Sequence, residues 1–363
     1  MHSYNKITEV KNRVDYDIIS KGKRDELVEQ AEEILGNIRY GWKASIDNFC
    51  MQLETNSSHL YEFWLENWFA EKRDARSHGR IYAVIDPSLG KPHAYYNPET
   101  KTAIIHNTEY YGQCKSWALG IVCDIAEDQH DIHSIHGSCV EIDGKGVVLI
   151  APTGTGKSTH SYALLGVKGA RIHSDDWLYI RFIGRASAEI SERMFYLRTN
   201  IVRVFPEVKP LLDQCKLENV EPLNQREIER LKGIYEAEIE EMKKDPYIAH
   251  EYSRAMLDPR WIAGVEKFVD TTRARAVLLL KRDKNDPEIA RKMEAEEAIE
   301  YLVNQPEQFM NPYLIVKTPE KIEVRENFFR RLFQYAPPYL VNTFDSVNKV
   351  QEEIRKIIKN KVI

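Results

Sequence analysis

The chain lacks any apolar run approaching the ~18 residues that a membrane-spanning helix needs. Its first residues, MHSYNKITEVKNRVDYD, have no apolar core of the kind found in secretory signals. Cysteine is scarce and scattered: Cys50, Cys114, Cys123, Cys139 and Cys215 are odd in number, and no two have zinc-ligand spacing. That pattern argues against a disulfide framework, and a reducing cytoplasm is the expected compartment. No basic tract exists; the net charge is −5 with the signs interspersed, so neither nucleic acid nor a membrane is an expected partner. Internal repeats and low-complexity linkers are also missing.

What is present is the balance of a soluble globular protein, 43% hydrophobic and 29% charged. On a prior of roughly 100–200 residues per domain, 363 residues make two domains or one elaborate one. The expected division is 1–130, a substrate-side domain, and 131–363, a nucleotide-binding domain. Residues 24–70 read as helical, with Trp42, Phe49, Tyr61, Trp64 and Trp68 packing a first core. RIYAVID (80–86) and KTAIIH (101–106) read as strands bounded by Gly, Pro and Asn. SCVEI, the turn DGKG and VVLIAP (147–152) read as a hairpin, followed by a helix over 157–165. ARIHSDDWLYI (170–180) reads as one strand, 224–244 as a charged helix striped by Ile228, Leu231, Tyr235, Ile239 and Met242. ARAVLLLKRD (274–283) and PPYLVNTF (337–344) read as buried strands, and an amphipathic helix closes the chain from about 346 to 360. Strands dominate around 147–180, so the class is α/β.

From Ala151 to His160 the chain reads APTGTGKSTH. The phosphate-loop pattern G-x-x-x-x-G-K-[ST] is complete except for its first glycine, where Ala151 stands. Such a loop turns backbone N–H groups onto an anion, with a helix N-terminus behind them. Gly154 and Gly156 permit close approach and positive φ. The backbone from Thr153 through Gly154, Thr155, Gly156 and Lys157 to Ser158 and Thr159 would cradle a triphosphate. Lys157 would reach its β/γ-phosphates and Ser158 would offer a hydroxyl to Mg²⁺. Transfer also needs metal ligands and a base. Asp175 and Asp176, in HSDDW, supply carboxylates. Neighbouring strand residues point to opposite faces, so both reach one site only where the strand ends and twists.

At this point the chain resembles two related families, HPr kinase/phosphorylase and ATP-type phosphoenolpyruvate carboxykinase. HG at 136–137, a hairpin, the glycine loop and the paired aspartates follow in the same order. The resemblance implies an α/β carboxykinase-like P-loop fold with a smaller N-terminal α/β domain. It implies that Lys157 and Ser158 bind triphosphate and metal, that Asp175 and Asp176 serve the metal, and that Asp175 is the acceptor's base. His136 matches a metal-ligating histidine. TEYYGQCKS (108–116) resembles Y-x-G-E-x-K-K, which places Tyr110 at the substrate and Lys115 at an active-site lysine. ARSHGRIYAV (75–84) is similar to G-R-S-P-K-D-K-Y-I-V and puts Arg76 on a carboxylate-gripping arginine. YSRAMLDP (252–259) resembles N-T-R-V-S-Y-P and puts Arg254 on the γ-phosphate arginine. SERMFYLRT (191–199) and KLENV (216–220) look like E-G-G-C-Y-A-K and L-E-N-V. Ser116 stands at the second lysine, where a hydroxyl is a poor replacement for a neutral amine. His133, His160 and His173 have no matching position and read as structural.

The leading expectation is a kinase that moves the γ-phosphate of ATP to a hydroxyl, with Mg²⁺ or in its place Mn²⁺. Its partners would be the nucleotide and a small-molecule or protein-serine acceptor; an oligomer is compatible with the composition. One alternative is a compact carboxykinase converting oxaloacetate and ATP to phosphoenolpyruvate. The other is a nucleotide-binding regulator without transfer.

Overall fold

The computed structural model describes residues 4–310 and 318–359. In chain order the elements begin with β1 (Asn5–Lys6), β2 (Tyr16–Ile18), α1 (Lys21–Leu35), β3 (Tyr40–Ile46), β4 (Phe49–Thr55) and α2 (Ser58–Asn67). Then come β5 (Phe69–Ala70), β6 (Gly79–Val84), β7 (His93–Asn97), β8 (Thr102–His106) and α3 (Tyr111–His130). Next are β9 (Ile132–His136), β10 (Ser138–Ile142), β11 (Lys145–Ile150), α4 (Lys157–Leu164), β12 (Ala170–Ser174), β13 (Trp177–Phe182) and β14 (Ala186–Ile190). They are followed by β15 (Phe195–Arg198), α5 (Lys209–Leu212), β16 (Lys216–Glu218), α6 (Gln225–Leu231), α7 (Ile239–Lys244), α8 (Pro246–Ala249), β17 (Arg254–Leu257) and α9 (Arg260–Ala263). The chain ends with β18 (Thr271–Lys281), β19 (Ala290–Lys292), α10 (Ala295–Val303), α11 (Pro306–Phe309), α12 (Pro319–Tyr335), β20 (Pro338–Asn342) and α13 (Val347–Ile357). The fold is thus mixed α/β. No helix among the described residues is long and apolar enough to cross a membrane.

Two compact units result: residues 1–122 with 193–262, and residues 123–192 with 263–363. The first unit carries a seven-stranded sheet, β2-β7-β8-β6-β4-β3-β5, and a four-stranded sheet, β1-β16-β17-β15. Leu27, Ala31 and Leu35 of α1 pack on Tyr82, Val84 and Ile104 of the larger sheet. Adjacent residues of a strand face opposite ways, so Tyr95 joins that cluster while Tyr96 meets Trp117 of α3, ring centroids 5.4 Å apart.

The second unit is built on a nine-stranded sheet, β12-β10-β11-β18-β14-β13-β9, with β19 and β20 added beside β18. The 11-residue β18 pairs with β14 near its start and with β20 near its end, and runs parallel to β11 throughout. Its run Val277–Leu280 is wholly buried because both faces are covered. Val277 and Leu279 join Phe328, Phe329 and Leu332 of α12; Leu278 and Leu280 join Leu164 of α4 and Val350 and Ile354 of α13.

Three expectations are corrected by the fold. Residues 24–70 are not one helix: β3 and β4 form a hairpin between α1 and α2. Its two-residue turn, Asp47-Asn48, takes φ of 48° and 68°, the left-handed pair that a tight hairpin turn needs. The charged helix of 224–244 is broken into α6 and α7, with Gly233 at φ 87° between them. Ile228 and Leu231 still pack against Leu223 and Met242, but Tyr235 is exposed. The strand expected over 170–180 is two strands, with Asp175 and Asp176 in the bend that joins them. The other strands named above are found, as is the helix after the glycine loop. The closing helix is found over Val347–Ile357; residue 360 lies outside the described residues.

His106 ends β8 with 3% exposure, its ring 5.3 Å from that of Tyr95. Burial, helped by nearby His93, holds the imidazole down to about 4. The unfolded value is about 6.5, so the folded protein resists protonation that the unfolded chain accepts. The neutral ring's contribution is complete above pH ~6.5 and is lost as pH falls toward 4, by up to about 3 kcal/mol. Urea unfolding between pH 7.5 and 4.5 should show this decline, and His106→Gln should make it shallower, leaving the part that His160 contributes, since burial holds that ring down to about 4 as well; an unchanged slope would remove His106 as a source.

Candidate functional site

The glycine loop runs from the end of β11 into the start of α4. Gly154 and Gly156 have φ of 84° and 91°, conformations that side-chain-bearing residues rarely adopt. Gly156 is the N-cap of α4 and offers no side chain to the first amides of the helix. The Thr155 amide and hydroxyl both donate to the Pro152 carbonyl, at 3.2 and 2.7 Å. The Thr343 hydroxyl, just after β20, donates to the Thr155 carbonyl at 2.7 Å. Gln308 reaches the Ala151 carbonyl at 3.4 Å. These bonds hold the loop from both ends while Thr153 and Gly154 remain exposed. Behind it, buried His160 meets Gln351 of α13 at 3.0 Å, and Ser161 and Ser138 hydroxyls lie 2.5 Å apart.

The aspartates occupy a kink. Strands β9 and β10 are separated by Gly137 alone, and β12 and β13 by Asp175 and Asp176 alone. β9 pairs with β13, and β10 with β12, so two long antiparallel strands bend together at one level. The Gly137 amide donates to the Asp176 carbonyl at 3.0 Å across the bend. A side chain at 137 would not fit: a Cβ there would lie 2.7 Å from the Leu149 carbonyl oxygen. Asp175 and Asp176 lie in the bend and not within a strand. Lys157 Nζ donates to the Asp175 carbonyl at 2.7 Å and to Asp176 Oδ1 at 3.1 Å. His136 Nε2 lies 3.3 Å from the same Oδ1, with its ring 5.9 Å from that of Trp177. Burial, and after it the Asp175 carboxylate, push the Tyr162 phenol on α4 well above its usual range. Within the second unit the structure therefore brings together Thr153–Thr159, His136, Asp175 and Asp176.

The first unit holds a second group. Glu218, at the end of β16, is fully buried. Its Oε1 accepts from His59 Nε2 at 2.7 Å and from the Tyr111 amide at 2.8 Å, and its Oε2 from the Tyr196 hydroxyl. The Tyr4 hydroxyl meets His59 Nδ1 at 3.1 Å. A buried carboxylate is costly unless hydrogen-bonded, and three donors meet that need. Around the Tyr196 ring stand Lys115 Nζ, 5.7 Å from the centroid, and the Arg254 guanidinium, 5.9 Å away. Burial, then Glu218 and Tyr110, push the Tyr196 phenol well up, while Arg254 opposes. Arg254 is opposite Glu218 on one side and Arg198 on the other. Tyr110, Lys115 and Arg254 thus gather here. Arg76 is exposed on the 71–78 connection, and among the described residues no hydrogen bond or ion pair ties it to them.

Sequence reasoning passed over Tyr196, Glu218, His59 and Tyr111 as functional residues. Tyr196 and Glu218 lie inside SERMFYLRT and KLENV, segments noticed only for their resemblance. No spacing joins them; the β15-β17-β16 pairing does. The three histidines read as structural have ordinary partners: His133 at Asp131, His160 at Gln351 and His173 at the Val269 carbonyl. Among the described residues no cluster of three or more His, Cys, Asp or Glu side chains forms a ready metal cage. Ser158, Asp175 and Asp176 offer oxygen atoms only, a set that suits Mg²⁺, which keeps waters and shares phosphate oxygens rather than filling a cage.

No family model and no curated protein matches the chain. Among solved structures, the chain is similar to the HPr(Ser) kinase/phosphatase from Coxiella burnetii, at 10% identity and a TM-score of 0.32. The match covers 63% of this chain and 89% of the other. A likeness that faint decides neither fold nor activity, so function has to be reasoned from the residues.

The kink gives a direct test. Gly137→Ala should cost about 1–3 kcal/mol in urea unfolding, the usual range for overpacking. Gly137 does not take a positive φ, so the cost would come from the close approach to the Leu149 carbonyl and not from backbone strain. Equal stability of Gly137→Ala and the parent would show that the bend accommodates a methyl group.

Proposed function

We propose that the chain is an ATP-dependent phosphotransferase with a carboxykinase-like P-loop arrangement, moving the γ-phosphate to a hydroxyl of a small molecule or a protein serine. The observation that carries this reading is the link from loop to aspartates: Lys157, first residue of α4, reaches both Asp175 and Asp176. A triphosphate on the amides of Thr153–Thr159 would then lie close to a carboxylate able to take a proton. Geometry comes before pKa in choosing a base; the Asp175 backbone carbonyl accepts from the lysine that would grip the phosphates, which supports giving its carboxylate that part.

The step balances as follows. Asp175 takes the hydroxyl proton of the acceptor, and the acceptor oxygen attacks the γ-phosphorus. The bond from that phosphorus to the bridging oxygen breaks, and ADP leaves with its electron pair. Lys157 stabilises the charge that spreads over the phosphate oxygens. Asp176, held by Lys157 and His136, keeps the turn in place. Ser158, Asp175 and Asp176 would hold Mg²⁺ or Mn²⁺, which when bound neutralises charge on the phosphates. Lys115 and Arg254 are assigned to an anionic group of the substrates, with Tyr110 beside them; Arg76 is assigned to the acceptor.

The test incubates the protein with ATP and Mg²⁺ or Mn²⁺, with and without oxaloacetate, and follows ADP, phosphoenolpyruvate and a panel of hydroxyl acceptors. Phosphoenolpyruvate formed only with oxaloacetate would replace this reading by a carboxykinase; tight ATP binding without turnover would replace it by a regulator. Lys157→Ala should weaken ATP binding roughly 10–100-fold, the worth of one charge-assisted contact. Asp175→Asn should keep ATP binding and lower kcat by about 10²–10⁴. If Lys157→Ala bound ATP normally, the loop would not be the nucleotide site.

A further inference from the structure

The buried group of the first unit has a feature that the transfer chemistry does not use. Glu218 touches neither cation through its hydrogen bonds; all three recorded donors come from His59, the Tyr111 amide and the Tyr196 hydroxyl. Three donors from three different segments fix the carboxylate in all directions. Oε1 ties it to α2 and to the first residue of α3, the helix that carries Lys115. Oε2 ties it to the ring on β15 over which Lys115 and Arg254 stand. Lys115 is itself buried, at 4% exposure, so its ammonium has little freedom to relocate. Arg254 shares a cross-strand row with Glu218, and its Nη1 donates to the Glu251 and Ser253 carbonyls at 2.6 and 3.1 Å. Cations are attracted to the face of an aromatic ring, and fixing the ring fixes where they rest.

We propose that Glu218 and Tyr196 are positioning residues: they hold the ring beside which Lys115 and Arg254 stand, 5.7 and 5.9 Å from its centroid, so that the two cations receive one carboxylate or phosphate group. Tyr196 acts through its ring, Glu218 through the Tyr196 hydroxyl and the start of α3. The inference rests on the part given to Lys115 and Arg254 above, but not on the glycine loop.

The experiment uses the full chain carrying Lys157→Ala, so that anion binding at the loop is weakened equally in every variant compared. Inorganic phosphate and malonate are titrated by calorimetry at constant ionic strength, and thermal unfolding is followed in parallel. At least one probe should bind at a single saturable site; which one binds tells a phosphate from a carboxylate. Arg254→Ala should weaken it more than about tenfold, as loss of a charged hydrogen-bonding partner does. Tyr196→Phe and Glu218→Gln should each weaken it several-fold, and Tyr196→Leu, which removes the ring, more than Tyr196→Phe. A purely structural role would lower the melting temperature and leave probe affinity unchanged. The proposal fails if neither probe binds saturably, or if Tyr196→Phe and Glu218→Gln bind as the parent does. Failure of the loop assignment would show instead as normal ATP binding by Lys157→Ala, an independent result.

Discussion

Lys157 ties the start of α4 to the bend that carries the aspartates, and the glycine loop and that bend are held together by this tie. One ammonium serves a backbone carbonyl and a carboxylate, while His136 approaches the same carboxylate from β9. The lysine and Asp176 side chains are partly exposed, so the pair is screened and each contact is modest. Modest contacts are what a binding lysine needs. On the proposed reading a triphosphate would compete for the same ammonium, and a fully buried pair would be too costly to exchange.

Much of this was legible in the sequence. Glycine and β-branched residues mark β11, the loop and the hairpin before it, because those elements obey local rules. The buried run of β18 was legible for the same reason: a strand covered on both faces has no polar alternation to hide it. The 24–70 segment misleads because its aromatics suit a helical core as well as a hairpin, and only the Asp47-Asn48 pair marks the turn. The aspartate bend misleads differently. A strand pattern runs through ARIHSDDWLYI without a glycine or proline to interrupt it. The break is imposed from the partner strand, where Gly137 lets the backbone approach the Leu149 carbonyl. Inside HSDDW the local signal is the Ser-Asp-Asp cluster: Asp is depleted in strands, and such clusters bound them.

The first unit shows the limit more sharply. Glu218, His59, Tyr196 and Tyr111 are far apart in the chain and meet only through strand pairing and helix packing. Each alone has the look of an ordinary residue. A buried carboxylate becomes informative only when its donors are known, since it is the donors that make burial affordable. Resemblance pointed at Tyr110, Lys115 and Arg254, and these do gather around one ring. Arg76, drawn from the same kind of short match, is exposed and has no such company.

Several helices of the chain begin with a side chain that satisfies their first amides: Ser20 for α1, Ser57 for α2, Asn224 for α6 and Thr318 for α12. The helix behind the glycine loop begins with Gly156 and has no such group. No side chain at the N-cap of α4 occupies its first amides, and an anion bound there would meet them directly. On the proposed reading occupancy and local order become one quantity: the segment that would hold a phosphate is also one that a phosphate would help to order.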